Sequence, residues 1–226
     1  MSYIISELLT KSQVSQMRSA LNSSQDWVDG IKSIGNRLPN SNVKKNLELN
    51  QQTDAYEKAS AILWNALVKC IDFADFTGGG KSGPIIYSRT VRGGYYKTHL
   101  DSPDMGQFSS TIFLSNPDEY SGGELVLMNG NCSEKIKLKS GSIITYPSGI
   151  SHQVNEVTSG TREVAVLWTQ SNFKNSRHRE IYSDLQKALR YLPPYTTPDS
   201  VEESQRQPSF LIRQVMHNLI RYQADL

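Results

Sequence analysis

The chain has 226 residues, and 24 lysines and arginines against 22 aspartates and glutamates leave a formal net charge of only +2. This near balance, together with the lack of any run of five like charges, argues against a nucleic-acid partner. The two isolated cysteines, the absence of a signal-like start and the lack of an apolar stretch of 18 residues predict a cytoplasmic protein with no membrane partner.

Helical patterns flank a β-rich middle of the chain. Apolar residues at three- and four-residue steps predict helices over 12–21 and 52–71, and helical periodicity returns at about 176–192 and from about 208. A polar connection with prolines is predicted over 193–208. After Phe76 the pattern changes to eight short strands separated by turn residues, over 85–89, 95–100, 109–114, 124–128, 135–138, 142–146, 152–157 and 162–168.

Eight short strands at this spacing predict an all-β sandwich or barrel, of which the jelly roll is the usual eight-stranded form. No helical segment of ten residues separates consecutive strands, which argues against a parallel α/β sheet. We therefore predict a mainly β fold with flanking helices. Its regions are an N-terminal helical support over 1–76, a β core over 77–175 and a C-terminal helical extension over 176–226.

Three residues could hold a metal ion. His99 and Asp101 are two residues apart, so on a strand both side chains point to one face, and His152 can add a second imidazole from a distant strand. Two histidines and one carboxylate on one face of a metal are diagnostic of non-heme Fe(II) oxygenases, because open positions remain for substrate and O2. The alternative is a surface or hydrogen-bonding role, which is common for an isolated His-x-Asp pair.

Arg162 is a candidate anion partner. It alternates with Val164, Val166 and Trp168 in strand fashion, which would place its guanidinium at one end of an apolar pocket. A buried guanidinium needs an anion, and its planar fork suits a carboxylate. The alternative is that Arg162 follows a turn at Gly160 and pairs with a surface acid.

The sequence resembles the Fe(II)/2-oxoglutarate-dependent dioxygenases, especially the prolyl/lysyl hydroxylases of the bacterial PKHD type and of the prolyl 4-hydroxylase-like kind. The segments that carry this resemblance are NLEL at 46–49, YYKTHLD at 95–101, STIFLS at 110–115, YSGGEL at 120–125, YPSGISHQV at 146–154, VTSGTR at 157–162 and WTQS at 168–171. Residues 217–221 resemble the terminal helix of the same group. The resemblance implies a double-stranded β-helix core, which is a cupin-like jelly roll.

The resemblance also implies roles for individual residues. His99, Asp101 and His152 would bind Fe(2+), and no catalytic residue is implied beyond this metal centre. Arg162 and Tyr87 would bind the cosubstrate 2-oxoglutarate, while Phe113 replaces a second tyrosine that often contacts it. The remaining two implied residues line the substrate pocket, and they are Trp168 and Tyr96.

The implied activity is that of a 2-oxoglutarate-dependent dioxygenase. It would use O2 to hydroxylate an unactivated C–H bond of a prolyl or lysyl residue in a peptide or protein, releasing succinate and CO2, with L-ascorbate as a further cofactor. One alternative is the same chemistry on a free amino acid or small metabolite. Another is a non-catalytic jelly-roll module that retains a metal.

Overall fold

The computed structural model describes residues 3–37, 42–193 and 207–223. The chain divides into two compact units, one formed by Met1–Cys70 with Ser82–Thr169 and the other by Ile71–Lys81 with Gln170–Leu226. These units differ from the three predicted regions, because strands from the first 50 residues pair into the sheets of the β core. The predicted connection over 193–208 lies outside the described residues except at its ends.

The first unit contains a large antiparallel sheet and two helices. The helices are α1, Lys11–Ser23, and α2, Asp54–Lys69. The strands of the sheet run in the order β1-β12-β8-β14-β6-β4-β2, and β9 also pairs with β14. Their bounds are Ile4–Glu7 for β1, Trp27–Asp29 for β2, Leu47–Leu49 for β4, Ile86–Val91 for β6, Phe108–Phe113 for β8, Tyr120–Gly122 for β9, Ser142–Pro147 for β12 and Val157–Gln170 for β14.

A smaller antiparallel sheet has the order β11-β10-β13-β7-β3. Its strands are Lys44–Lys45 for β3, Tyr95–His99 for β7, Leu125–Asn129 for β10, Cys132–Ile136 for β11 and Ser151–Val154 for β13. A 3-10 helix at Gly30–Arg37 precedes β3, another at Pro117–Glu119 precedes β9, and the short strand β5 is Lys81–Ser82. The predicted mainly β, jelly-roll class is confirmed.

The main core of the first unit is built from both sheets. Phe113, Ile144 and Val164 come from the large sheet, and Leu125 and Leu127 come from the small one, all at most 2% exposed. Burying such side chains contributes about 1.5–3 kcal/mol each, which makes this shared core a main source of stability. The two sheets therefore face each other, and side chains that point inward from either sheet can meet.

Alternation along β14 decides which residues reach this interior. Arg162 and Trp168 line the internal cavity. Glu163, which points to the opposite face of the strand, accepts hydrogen bonds from Arg18 of α1 and from Arg89. Successive side chains of a strand point to opposite faces. One face of β14 thus serves the cavity and the other meets helix α1.

The second unit is helical. Its helices are α3, Ile71–Thr77, α4, Ser176–Leu189, and α5, Pro208–Gln223. Phe173 and Tyr182 pack with ring centroids 5.0 Å apart, and Arg190 pairs with Asp75. The predicted C-terminal helices are confirmed, while the predicted helix over 52–71 ends at Lys69 and α3 follows it. None of the described helices combines the length and apolar character needed to cross a membrane.

Candidate metal centre

The pairing of β7 with β13 brings the two histidines together. His99 and His152 are directly opposite in the ladder, with their ring centroids 4.2 Å apart. Asp101 lies two residues beyond the end of β7, so it extends past the strand on which its alternation with His99 was predicted. Its two carboxylate oxygens lie 3.8 Å from Nε2 of His99 and 3.7 Å from Nε2 of His152. The structure therefore gathers the three predicted ligands, whose ligand atoms all lie within 4.8 Å of one another.

Hydrogen bonds orient each of the three side chains. Nδ1 of His99 and Nδ1 of His152 lie 2.8 and 2.9 Å from the main-chain carbonyl two residues earlier in each case. A neutral imidazole that donates from Nδ1 keeps its Nε2 lone pair free for a metal. Ser109 donates a hydrogen bond to the Asp101 carboxylate. Two free Nε2 atoms and one oriented carboxylate fit the needs of Fe(2+).

Burial keeps His99 in the form that binds metal. Removal from water and, to a smaller extent, the neighbouring His152 lower the pKa of His99 to about 4. Metal ligands must be deprotonated, so an imidazole that stays neutral at physiological pH is available without losing a proton first. The electrostatics of the site therefore agree with its geometry.

Arg162 lies in the same cavity as the histidines and has no anionic partner there. It is 3% exposed, and its Nε, like the hydroxyl of Tyr120, makes no hydrogen bond with any described residue. Burial lowers the pKa of Arg162, while the Tyr120 hydroxyl raises it. Because an unpaired buried charge costs several kcal/mol, an anion bound at this end of the cavity would stabilise the guanidinium.

Six of the seven predicted site residues line this one cavity. His99, Asp101 and His152 lie together on one side of the cavity, and Arg162 reaches it from the large sheet. Trp168 and Tyr96 also line the cavity. The Tyr96 ring stacks on His99 with centroids 3.6 Å apart, and burial raises the pKa of Tyr96 to about 12. Tyr96 therefore stays protonated beside the metal ligands.

The seventh prediction, Tyr87, is wrong in its placement. Tyr87 is fully buried, but its hydroxyl lies 3.3 Å from Ser60 of α2 and its ring packs edge-on against Tyr56. It lies on the face of β6 opposite to Ile86 and Ser88, which line the cavity. Strand parity explains the error, because the prediction chose the residue by its type and ignored the side of the strand.

Tyr146 is a buried tyrosine that does line the cavity. It is 2% exposed and meets the edge of the His152 ring at 5.4 Å between centroids. Burial raises the pKa of Tyr146, so its hydroxyl remains a donor. The sequence did contain a signal for Tyr146, because it lies in the segment at 146–154 that also contains His152. These two residues belong to consecutive strands, one in each sheet, and both line the cavity.

Sequence reasoning also missed two charged residues that line the cavity, Lys44 and Glu48. They come from β3 and β4, which are two and three residues long. Strands of this length carry no periodic pattern, so no signal in the sequence pointed to them.

Comparison with known proteins is consistent with this site. Residues 85–170 match the family model described as the 2OG-Fe(II) oxygenase superfamily. A PKHD-type hydroxylase of Prochlorococcus marinus strain MIT 9301 is 36% identical over 198 residues, covering 85% of this chain and 88% of the relative. A PKHD-type hydroxylase of Xanthomonas campestris pv. campestris strain B100 is 29% identical and covers 98% of both chains.

Solved structures share the fold at low sequence identity. A Trichoplax adhaerens prolyl hydroxylase in complex with a peptide fragment of the hypoxia inducible factor oxygen degradation domain has a TM-score of 0.60 at 16% identity, covering 79% of this chain and 85% of that one. A Pseudomonas putida prolyl-4-hydroxylase has a TM-score of 0.53 at 14% identity, covering 75% and 92%. The epimerase SnoN from nogalamycin biosynthesis also has a TM-score of 0.53, at 12% identity and covering 74% and 76%, so the fold alone does not determine the reaction.

Proposed function

Because the chain belongs to the 2OG-Fe(II) oxygenases of the PKHD type and is thus an enzyme, we propose that it hydroxylates a prolyl or lysyl residue of a peptide or protein. The reaction would consume O2 and 2-oxoglutarate and release succinate and CO2. The names of the relatives support hydroxylation, and a peptide-bound prolyl hydroxylase of the same fold supports a peptide substrate.

The observation that carries the proposal is the buried Arg162, whose Nε makes no hydrogen bond with any described residue. A guanidinium forms two parallel hydrogen bonds with a carboxylate, and 2-oxoglutarate has a second carboxylate remote from its keto-acid group. With Arg162 on the large sheet, the two histidines on the small one and Asp101 just beyond β7, a dicarboxylate bound in this cavity would reach from the metal to the guanidinium. A site that holds metal for structure alone has no need of this arginine.

The residues divide the work of the site. His99, Asp101 and His152 would hold Fe(2+), which when bound supplies the redox chemistry with O2 and the keto acid. Arg162 orients the distal carboxylate, and the apolar walls exclude water. L-Ascorbate, which would keep the iron ferrous, is a further proposed cofactor.

The experiment that tests the proposal measures succinate and CO2 from 2-oxoglutarate with the iron-loaded protein, with and without capped prolyl and lysyl peptides. We expect slow conversion without peptide and faster conversion with a peptide that gains one oxygen by mass. Arg162→Met should raise the KM for 2-oxoglutarate by about a hundredfold or more, since truncating one partner of a buried charge pair costs about 2–5 kcal/mol. Arg92→Met, at an exposed position, is the matched control.

Two other outcomes would identify the alternatives. Oxygen gained by a free amino acid and by no peptide would indicate small-molecule hydroxylation. Bound iron without any conversion of 2-oxoglutarate would indicate a non-catalytic module.

A further inference from the structure

Lys44 and Glu48 form a buried ion pair that lines the cavity. Their side chains are only 8% and 10% exposed, and the cavity is the one that contains His99 and Arg162. Withdrawing two charges from water costs several kcal/mol per ion, and well-packed apolar side chains of similar size often serve stability equally well or better. A packing role alone therefore gives little reason to place two charges here.

The pair lies outside the segment that matches the family model. That segment, 85–170, contains all four residues proposed to bind iron and 2-oxoglutarate. Lys44 and Glu48 precede it, on β3 and β4. Lys44 and Glu48 thus bring polar groups to the cavity from outside the segment that contains the proposed metal and cosubstrate ligands.

Lys44 lies where the inner cavity meets an open outer groove. Lys44 lines both spaces, and its ammonium lies 4.8 Å from the centroid of the Tyr96 ring, which stacks on His99. The groove continues outward past Leu100 and Met105, which are 62% and 41% exposed. Lys44 is therefore one of the residues that the groove and the inner cavity share, together with Tyr96, His99 and Asp101.

The pair has hydrogen-bonding capacity left over. The Lys44 ammonium has three N–H donors, and it gives hydrogen bonds to Glu48 and, at 2.9 Å, to Ser33. Oε1 of Glu48 accepts the hydrogen bond from Lys44 and one from the Ser33 hydroxyl at 3.2 Å, while its Oε2 has no hydrogen bond with a described residue. One donor and one acceptor thus remain on two adjacent groups.

This combination favours a neutral ligand over a charged one. The pair carries no net charge, so a lone anion or a lone cation would meet both signs at once. A peptide unit offers an acceptor and a donor on neighbouring atoms, its carbonyl oxygen and N–H. The open groove also leaves room for a chain that continues on either side of such a unit.

We propose that Lys44 and Glu48 select the substrate by hydrogen-bonding a main-chain peptide unit beside the reacting residue, Lys44 donating to a carbonyl oxygen and Glu48 accepting from an N–H. This inference rests on the proposed function, and it names the feature of the substrate that the site recognises. The competing ligand is a free amino acid, whose carboxylate and ammonium would occupy the same two positions.

The test compares Lys44→Met, Glu48→Met and an exchange variant carrying both Lys44→Glu and Glu48→Lys. The probes are a pool of acetyl- and amide-capped tripeptides with proline or lysine in the centre, and the twenty free L-amino acids. The readouts are peptide-dependent succinate formation and the gain of one oxygen by mass. Binding of 2-oxoglutarate is measured in parallel as a check on the fold, and Lys45→Met, at an exposed neighbouring residue, is the control.

We expect the wild type and Lys45→Met to hydroxylate capped peptides with the same KM. Each single variant should raise that KM by about tenfold or more, the cost of one lost hydrogen bond to a charged group. The exchange variant retains an ion pair but reverses donor and acceptor, so it should lose peptide turnover as well.

Three results would overturn the inference. A wild-type KM in the exchange variant would assign the pair to the fold alone. Turnover of free amino acids but not of capped peptides would exclude a peptide-binding role for the pair. So would a protein that converts 2-oxoglutarate but hydroxylates neither kind of probe. The first of these results would leave the proposed function intact, whereas the other two would overturn the proposed peptide hydroxylation as well.

Discussion

Individual hydrogen bonds fix the three proposed metal ligands before any metal binds. Each histidine is held through Nδ1 by a main-chain carbonyl, and Asp101 is held by the Ser109 hydroxyl. Such outer contacts set the direction of a ligand and reduce the cost of ordering it. The affinity of the site for metal therefore depends on residues that never touch the ion.

Ser109→Ala tests this dependence. Loss of the hydroxyl should weaken metal binding by about 10–100-fold, the usual effect of removing an outer contact. Titration with Mn(2+) measures the affinity. Ser110→Ala is the matched control, because Ser110 is buried on the same strand and hydrogen-bonds Thr145 instead. Equal affinities in the two variants would contradict the assignment.

Two tyrosines test the corrected placement at residue scale. Tyr146→Phe should raise the KM for 2-oxoglutarate by about tenfold or more, because Tyr146 lines the cavity and a hydrogen bond to a charged group is worth about 1.5–3 kcal/mol. Tyr87→Phe should leave that KM unchanged, since its hydroxyl contacts Ser60 on the other face of β6. The opposite ranking of the two variants would restore the original prediction.

At the scale of elements, the sequence predicted the long strands and helices well, because periodicity accumulates over several residues. The strands β1 to β4 have four residues or fewer and were missed. Tyr87 illustrates a second limit, since a strand predicted correctly can still present a chosen residue to the wrong face. A shift of one residue reverses the face, and only the pairing partners determine which face is inside.

A close backbone approach between β14 and the residues before β9 also constrains the elements. Gly160 has a φ of +71°, and a Cβ added there would lie 2.1 Å from the carbonyl oxygen of Glu119. Gly160→Ala should therefore displace the strand that carries Tyr120 and lower the free energy of unfolding by more than about 1 kcal/mol. Gly149→Ala is the control, because an added Cβ there meets nothing within 4 Å.

Chemical denaturation measures both variants. A loss of unfolding free energy in Gly160→Ala no larger than that in Gly149→Ala would show that β14 tolerates a Cβ at this position. A correspondingly higher KM for 2-oxoglutarate in Gly160→Ala would indicate that the displaced strand also disturbs the cavity.

At the scale of the whole molecule, the site depends on contacts between segments that are far apart in sequence. His99 and His152 are paired across β7 and β13, and Arg162 reaches the same cavity from the other sheet. The spacing of the motifs and the family resemblance together predicted six residues that line this cavity. They gave no sign that β3 and β4 would join the sheets, because pairing between distant short strands leaves no local pattern.

Metal and cosubstrate should stabilise the molecule by mass action. A ligand at a hundred times its Kd adds about 2.7 kcal/mol to the free energy of unfolding, so Mn(2+) with 2-oxoglutarate should raise the melting temperature by several degrees. A chelator should reverse the shift. The same shift in His152→Ala would place the binding site elsewhere.

The most direct test of the central claim is an anaerobic titration of the Fe(2+)-loaded protein with 2-oxoglutarate, followed by visible absorption. We predict a metal-to-ligand charge-transfer band that saturates in the wild type, is absent in His152→Ala and requires much more 2-oxoglutarate in Arg162→Met. Iron bound to the wild type without any such band would contradict the assignment of this cavity to iron and 2-oxoglutarate.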